Sequence, residues 1–172
     1  MLPRFGLELC MNGTYSNLEY FGLGPYENYS DRNSSATVGL YRHRVEDMYH
    51  YGYVRPQESG TRTGLKWIQV TDDNGDGFRF FSDLKFSASV LPFNWKEMDV
   101  RVLGNNQAHS LELKEKAFEG KRSEGKTWVN LDLVQMGLGC INSWGAWPKG
   151  EYQVKAKPYE FILHITPINN LN

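Results

Sequence analysis

The sequence predicts an all-β fold, an antiparallel sandwich or barrel, and three observations carry that prediction. Aromatics make up 14% of the 172 residues, including 10 Tyr and 5 Trp, alongside 17 Gly. Flat rings suit a pleated surface, and helices have little use for Gly. Apolar residues also alternate with polar ones in several separate runs, the period of a half-buried strand. Finally, the runs are parted by clusters rich in Gly, Asn, Asp and Ser, which read as turns and not as linkers between domains. A chain of this length forms one domain with a real core, and no repeat of fixed period or low-complexity segment interrupts it.

Along the chain, Phe5, Leu7 and Leu9 share one face of a first strand before the turn "MNGTY". The long cluster "GLGPYENYSDRNSS" follows; Pro25 removes an amide where a phosphate-binding helix would begin to offer them, so it is a turn and not a nucleotide cradle. Ala36, Val38 and Leu40 line the next strand. The flanks "LKWIQVT" and "FRFF" around "DDNGDG" are strand-like, and Trp67 and Trp128, in alternating apolar runs, are expected to fill core. Phe86, Ala88 and Val90 mark a further strand. In "FNWKEMDVRVL", Asn94 precedes Glu97 by three positions, the spacing that satisfies the first free amides of a helix, so one short helix is expected over 94–102. Tyr159, Phe161, Leu163 and Ile165 close the chain with another alternating run.

With 19 basic and 20 acidic residues the net charge is −1, which offers no broad positive field for nucleic acid or an anionic membrane. No apolar run approaches the roughly 18 residues that span a bilayer, and "MLPRFGLELC" lacks the apolar stretch of a signal peptide. The expectation is a soluble segment whose parent's compartment is left open; a start almost directly on a strand pattern also fits a piece of a longer protein. Cys10 and Cys140 match no metal or redox spacing and read as two separate thiols, a single disulfide being the alternative if the two ends meet.

Candidate chemistry is sparse. Glycoside hydrolysis needs two carboxylates a few ångströms apart, and the acids here are scattered over turns and polar faces with no local pair, so no catalytic residue is assigned. His43, Asp47 and His50 would share one side of a helix as metal ligands, but the surrounding Tyr and Gly disfavour that helix. Asp72, Asn74, Asp76 and Gly77 occupy the first, third, fifth and sixth places of a calcium loop, with Asp83 at the twelfth; the competing reading is a tight hairpin turn rich in Asp, Asn and Gly. No nucleophile with an activating partner stands out. Trp144 and Trp147 lie in "GLGCINSWGAWPKG", whose small and polar neighbours cannot bury a ring by themselves. A ring on such a loop can stack on the apolar face of a sugar while its N–H donates to a hydroxyl.

Six motifs in one order then carry a resemblance: "LPRFGLEL", "EYFGLGPYENYSDR", "DMYHYGYVRPQESGTRT", "FSAS", "WVNLDLVQMGLG" and "NSWG". Together they resemble the C-terminal end of the family-2 bacterial β-galactosidases. The resemblance implies the later part of a terminal antiparallel supersandwich, similar to galactose mutarotase, within a larger polypeptide that hydrolyses β-D-galactosides such as lactose with retention. It implies catalytic glutamates in an upstream (β/α)8 barrel absent from this chain, magnesium beside them, and sodium as a further candidate ion. It assigns Trp144 to a stacking wall for the sugar, flanked by Asn142 and Ser143, with Trp147 as an extra platform or as packing beneath it. Where relatives often carry a pair of acids, this chain has Ile141 and Asn142, so contacts made by those acids do not transfer. Glu27, Asp31 and Arg32 read as a network that fixes a loop. The implied partners are a β-galactoside and the upstream domains of the same polypeptide. A free-standing carbohydrate-binding module, or an architectural segment whose exposed edges promote a homo-oligomer, are the alternatives.

Overall fold

A computed structural model describes residues 2–50, 58–94, 96, 119, 124–139, 142 and 145–169. Strands β1 (Arg4–Asn12), β2 (Asn17–Gly24), β3 (Thr37–Arg44), β4 (Arg62–Thr71), β5 (Gly77–Leu91), β6 (Lys126–Gln135) and β7 (His164–Ile168) form one antiparallel sheet. Its order is β1-β6-β5-β4-β2-β3, with β7 also paired to β5. The 15-residue β5 makes this branching possible: Gly77–Phe81 face β7, while Ser87–Leu91 face β6. Among the described residues the chain is nearly all β, with an antiparallel sheet, consistent with a β-sandwich. Among the described residues no helix is long and apolar enough to cross a membrane.

One face of the sheet is the core. Leu18 and Tyr20 of β2, Ile68 and Val70 of β4, Phe80, Phe86, Ala88 and Val90 of β5, and Val129 and Leu131 of β6 are all buried there. The segment after β3 covers it with Val45, Met48 and Tyr49, and the Tyr49 ring meets Phe93 edge-on at 5.0 Å. Phe86, Ala88 and Val90 thus take the expected inward positions. Phe161 and Leu163 also pack on the core, although ladder pairing begins only at His164.

Several expectations are corrected. Val38 and Leu40 are exposed; the β3 residues on the opposite face are Gly39, Tyr41 and His43. Trp67 and Trp128 are only half-buried, because their neighbours Ile68 and Val129 take the core positions and strand alternation turns each Trp outward. Of the span 94–102 expected to be helical, only Asn94 and Lys96 are described, with Asn94 Oδ1 accepting the Lys96 N–H at 3.0 Å; residues 95 and 97–102 lie outside the described residues. Cys10 is an exposed free thiol, and Cys140 lies outside the described residues.

The outward face carries an apolar row across five strands. Register places Leu40 beside Phe21, Phe21 beside Trp67, Trp67 beside Phe81 and Phe81 beside His164, whose ring stacks on it at 4.8 Å. A polar row runs alongside: Arg42 pairs with Glu19, Glu19 accepts from Gln69, and Gln69 accepts from Arg79.

Candidate functional site

The loop that follows β6 is built from its stem upward. The Met136 N–H donates to the Pro3 carbonyl at 2.9 Å and the Gly137 N–H to the Tyr152 carbonyl at 2.8 Å, tying the exit to the N-terminal segment and to the 3-10 turn Gly150–Tyr152. The next two amides, of Leu138 and Gly139, donate to the two carboxylate oxygens of Asp31 at 3.1 and 2.8 Å. Glycine at 137 makes the approach possible, since a Cβ there would lie 2.5 Å from Asp31 Oδ2 and 2.9 Å from the Tyr152 Cβ and would push one of them aside. Gly139 has φ +83, the left-handed region, and a Cβ on it would stand 3.1 Å from the Ala146 carbonyl. Outgoing and returning limbs therefore touch at the neck. Asn142 Oδ1 accepts the Ala146 N–H at 3.4 Å.

Asp31 is itself held firmly. Tyr29 and Arg32 exchange backbone hydrogen bonds at 3.0 and 2.9 Å. Glu27 Oε1 accepts from Arg32 at 2.6 Å, and its Oε2 accepts the Gly60 N–H at 2.8 Å. The buried Asn28 ties the same loop to β4 by accepting the Thr63 N–H at 3.1 Å. Glu27, Asp31 and Arg32 thus form the loop-fixing network expected of them, with one addition: Asp31 reaches a second loop more than a hundred residues away.

Of the residues expected at a sugar, Asn142 is exposed and Trp147 is 62% exposed, so Trp147 is not core. Ser143 and Trp144, with Ile141, lie outside the described residues. Beside the stem lies a cavity of ≈ 460 Å³ lined by Arg4, Glu58, Lys96, Gln135, Met136 and Leu138 among others. At its edge Arg4 bridges two carboxylates, donating to Asp132 at 3.0 Å and pairing with Glu58. Burial raises both carboxyl groups, Asp132 to about 6, and the Arg4 charge opposes the rise in each. This cluster does not serve as a hydrolytic acid/base pair: both acids turn onto one guanidinium, and the Asp132 side chain is only 3% exposed. Sequence gave no signal for it, because its members lie 54 and 128 positions apart.

The calcium-like spacing resolves as a hairpin turn, and the geometry does not fit the ion. Asp72 Oδ1 already accepts the N–H groups of Asn74 and Asp76 at 2.8 and 3.0 Å. Asp83 sits six residues along β5 from Gly77, on the order of 20 Å away, where the β4 to β5 register shifts. The helix disfavoured for the histidine grouping is not formed. His43 belongs to β3, Asp47 to a 3-10 turn and His50 to the loop beyond, so no helix gathers them. The His43 ring stacks on Tyr20 at 5.9 Å, and burial, reinforced by the Arg62 charge, lowers its pKa. Among the described residues no group of three His, Cys, Asp or Glu could hold a metal ion.

Fold and site define an antiparallel β segment that presents one clamped glycine-rich loop and, among its described residues, carries no carboxylate pair arranged for hydrolysis. The family model for the β-galactosidase small chain matches residues 1–165. Similar proteins include the β-galactosidases of Halalkalibacterium halodurans (34% identical over 169 residues) and Streptococcus thermophilus (32% over 169 residues), each match covering 97% of this chain. That of Lactobacillus delbrueckii subsp. bulgaricus is 33% identical over 170 residues, or 98% of this chain. The chain belongs to the β-galactosidase small-chain family, and it spans about 15% of the length of these relatives.

Proposed function

We propose that this segment is the sugar-facing terminal β domain of a β-galactosidase acting on terminal β-D-galactosides such as lactose, and that it contributes binding and not proton transfer. The observation that carries the reading is the loop after β6: its neck is closed by Gly139 against Ala146, its stem is held by Asp31, and its described outer part bears exposed Asn142 and Trp147. In this reading Trp144 is a stacking wall, Ser143 and Asn142 supply polar contacts, and Trp147 adds apolar surface. Hydrolysis with retention would be performed by glutamates of a barrel elsewhere in the polypeptide, with magnesium, and sodium as a further candidate, bound there.

Stacking that serves substrate and transition state alike lowers KM more than it raises kcat. In a β-galactosidase carrying this segment, Trp144→Ala is expected to raise KM for a nitrophenyl galactoside roughly 5- to 30-fold with kcat nearly unchanged. The 172-residue chain alone is expected to release no nitrophenol. Turnover by the isolated chain, or a Trp144→Ala enzyme with unaltered KM, would overturn the reading.

The outward row of Leu40, Phe21, Trp67 and Phe81 favours a second, architectural role, in which this face is covered by another part of the polypeptide or by a second subunit. Sedimentation of the isolated chain is expected to show self-association that Leu40→Lys suppresses. A chain that stays monomeric at every concentration would count against that role.

A further inference from the structure

We propose that Asp31 is a positioning residue for the sugar wall, setting where the loop after β6 leaves the sheet. The proposal rests on the reading of Trp144 as that wall, and its own support is independent of that reading. A carboxylate more than a hundred residues away in sequence accepts two successive backbone N–H groups, of Leu138 and Gly139, at 3.1 and 2.8 Å. Two charge-assisted bonds from adjacent amides fix the plane of the intervening peptide as well as its position. That peptide is the last before the neck, where Gly139 abuts Ala146. A shift there therefore moves both limbs of the loop.

The carboxylate is a fixed point and not a side chain that follows the loop. Its own segment is bridged by Tyr29 and Arg32, held through Glu27 to the Gly60 amide, and tied by Asn28 to Thr63 of β4. The glycine at 137 lets the stem approach within reach of the carboxylate, since a Cβ would collide with Asp31 Oδ2. Strand β4, the 25–33 loop, Asp31 and the 137–139 stem thus form one continuous mechanical path. Asp31 touches no reacting group in this proposal; it acts through the loop.

A displacement of about 1 Å forfeits roughly a quarter to a half of a stacking contact's dispersion energy, so a shifted wall loses part of what its removal would cost. Two measurements test the idea together. In this chain, Asp31→Ala is expected to speed amide exchange at Leu138 and Gly139 at least about 10-fold while Val129 and Leu131 in β6 keep their protection. In a β-galactosidase carrying the segment, Asp31→Ala is expected to raise KM for a nitrophenyl galactoside by up to about 5-fold, less than Trp144→Ala does, with kcat within about 2-fold. Adding Trp144→Ala should raise it no further than Trp144→Ala alone does, since both changes act on one wall. Asp31→Asn, which keeps one acceptor and the shape, should fall between wild type and Asp31→Ala and guards against a variant that merely fails to fold.

Unchanged KM in Asp31→Ala, where Trp144→Ala raises it, overturns the positioning role and leaves the wall intact. Equal losses of protection at Val129 and Leu131 overturn it in favour of general destabilisation. If Trp144→Ala itself leaves KM unchanged, the wall reading fails and positioning fails with it, whereas the exchange data still report whether Asp31 clamps the stem.

Discussion

Arg4→Met is expected to lower the stability of this chain by about 3–5 kcal/mol, the typical cost of removing one partner from a buried ionic cluster. Arg4 stands between Glu58 and Asp132, whose side chains are 15% and 3% exposed. Methionine fills much of the same volume but leaves two carboxylates facing each other without a cation. The loss should depend on pH. Burial raises both carboxyl groups, Asp132 to about 6, against an unfolded value near 3.9. A carboxyl raised on folding adds stability that is fully present below the unfolded pKa and is lost as pH rises through the folded one. Without the guanidinium both groups rise further, so the deficit of Arg4→Met should be largest at pH 8 and shrink at pH 5. Urea midpoints of the two proteins at both pH values would check this. A deficit equal at the two pH values would assign the role of Arg4 to packing and not to charge.

How much of this was legible in the sequence depended on whether the signal was local. The inward alternation of Phe86, Ala88 and Val90 read correctly because all three are apolar and their face is continuous. β2 was legible only as part of a family motif, because Gly22 and Gly24 stand at two of its inward positions and erase the alternation. The fold itself calls for them: a Cβ on Gly22 would lie 2.8 Å from the Leu65 Cα, and one on Gly24 would lie 2.4 Å from the Tyr20 hydroxyl. Val38 and Leu40 misled for the opposite reason, since their period is correct but their face is the outward one. The polar network around Glu27 and Asp31 was anticipated as loop-fixing, whereas its second end, on Leu138 and Gly139, depends on a contact that no local spacing encodes. The Asp-rich turn left two readings open because calcium loops and tight hairpins use the same residues; the strand flanks favour the hairpin, carrying Asp83 away from Asp72.

Phe86→Ala should destabilise the chain by about 3–5 kcal/mol, whereas Trp67→Ala, which removes a larger ring, should cost less, about 1–3 kcal/mol. Ring size would rank the two the other way, so the comparison tests which face of the sheet is the core. Phe86 is 1% exposed, lies where the β5 register shifts against β4, and packs against Phe161 at 6.2 Å. Truncation leaves a cavity that a sheet paired on both edges of β5 cannot collapse to fill. Trp67 is on the outward face, only partly buried, with the Arg79 guanidinium 4.7 Å from its ring centre. Its loss surrenders part of its apolar burial and one exposed cation–π contact, with room for solvent to replace both. Urea denaturation of the isolated, dilute chain would give the two costs. Comparable values would mean that the outward row is already packed as tightly as the core. The expected gap means that this face has apolar area to give to another surface, which is the condition the architectural role requires.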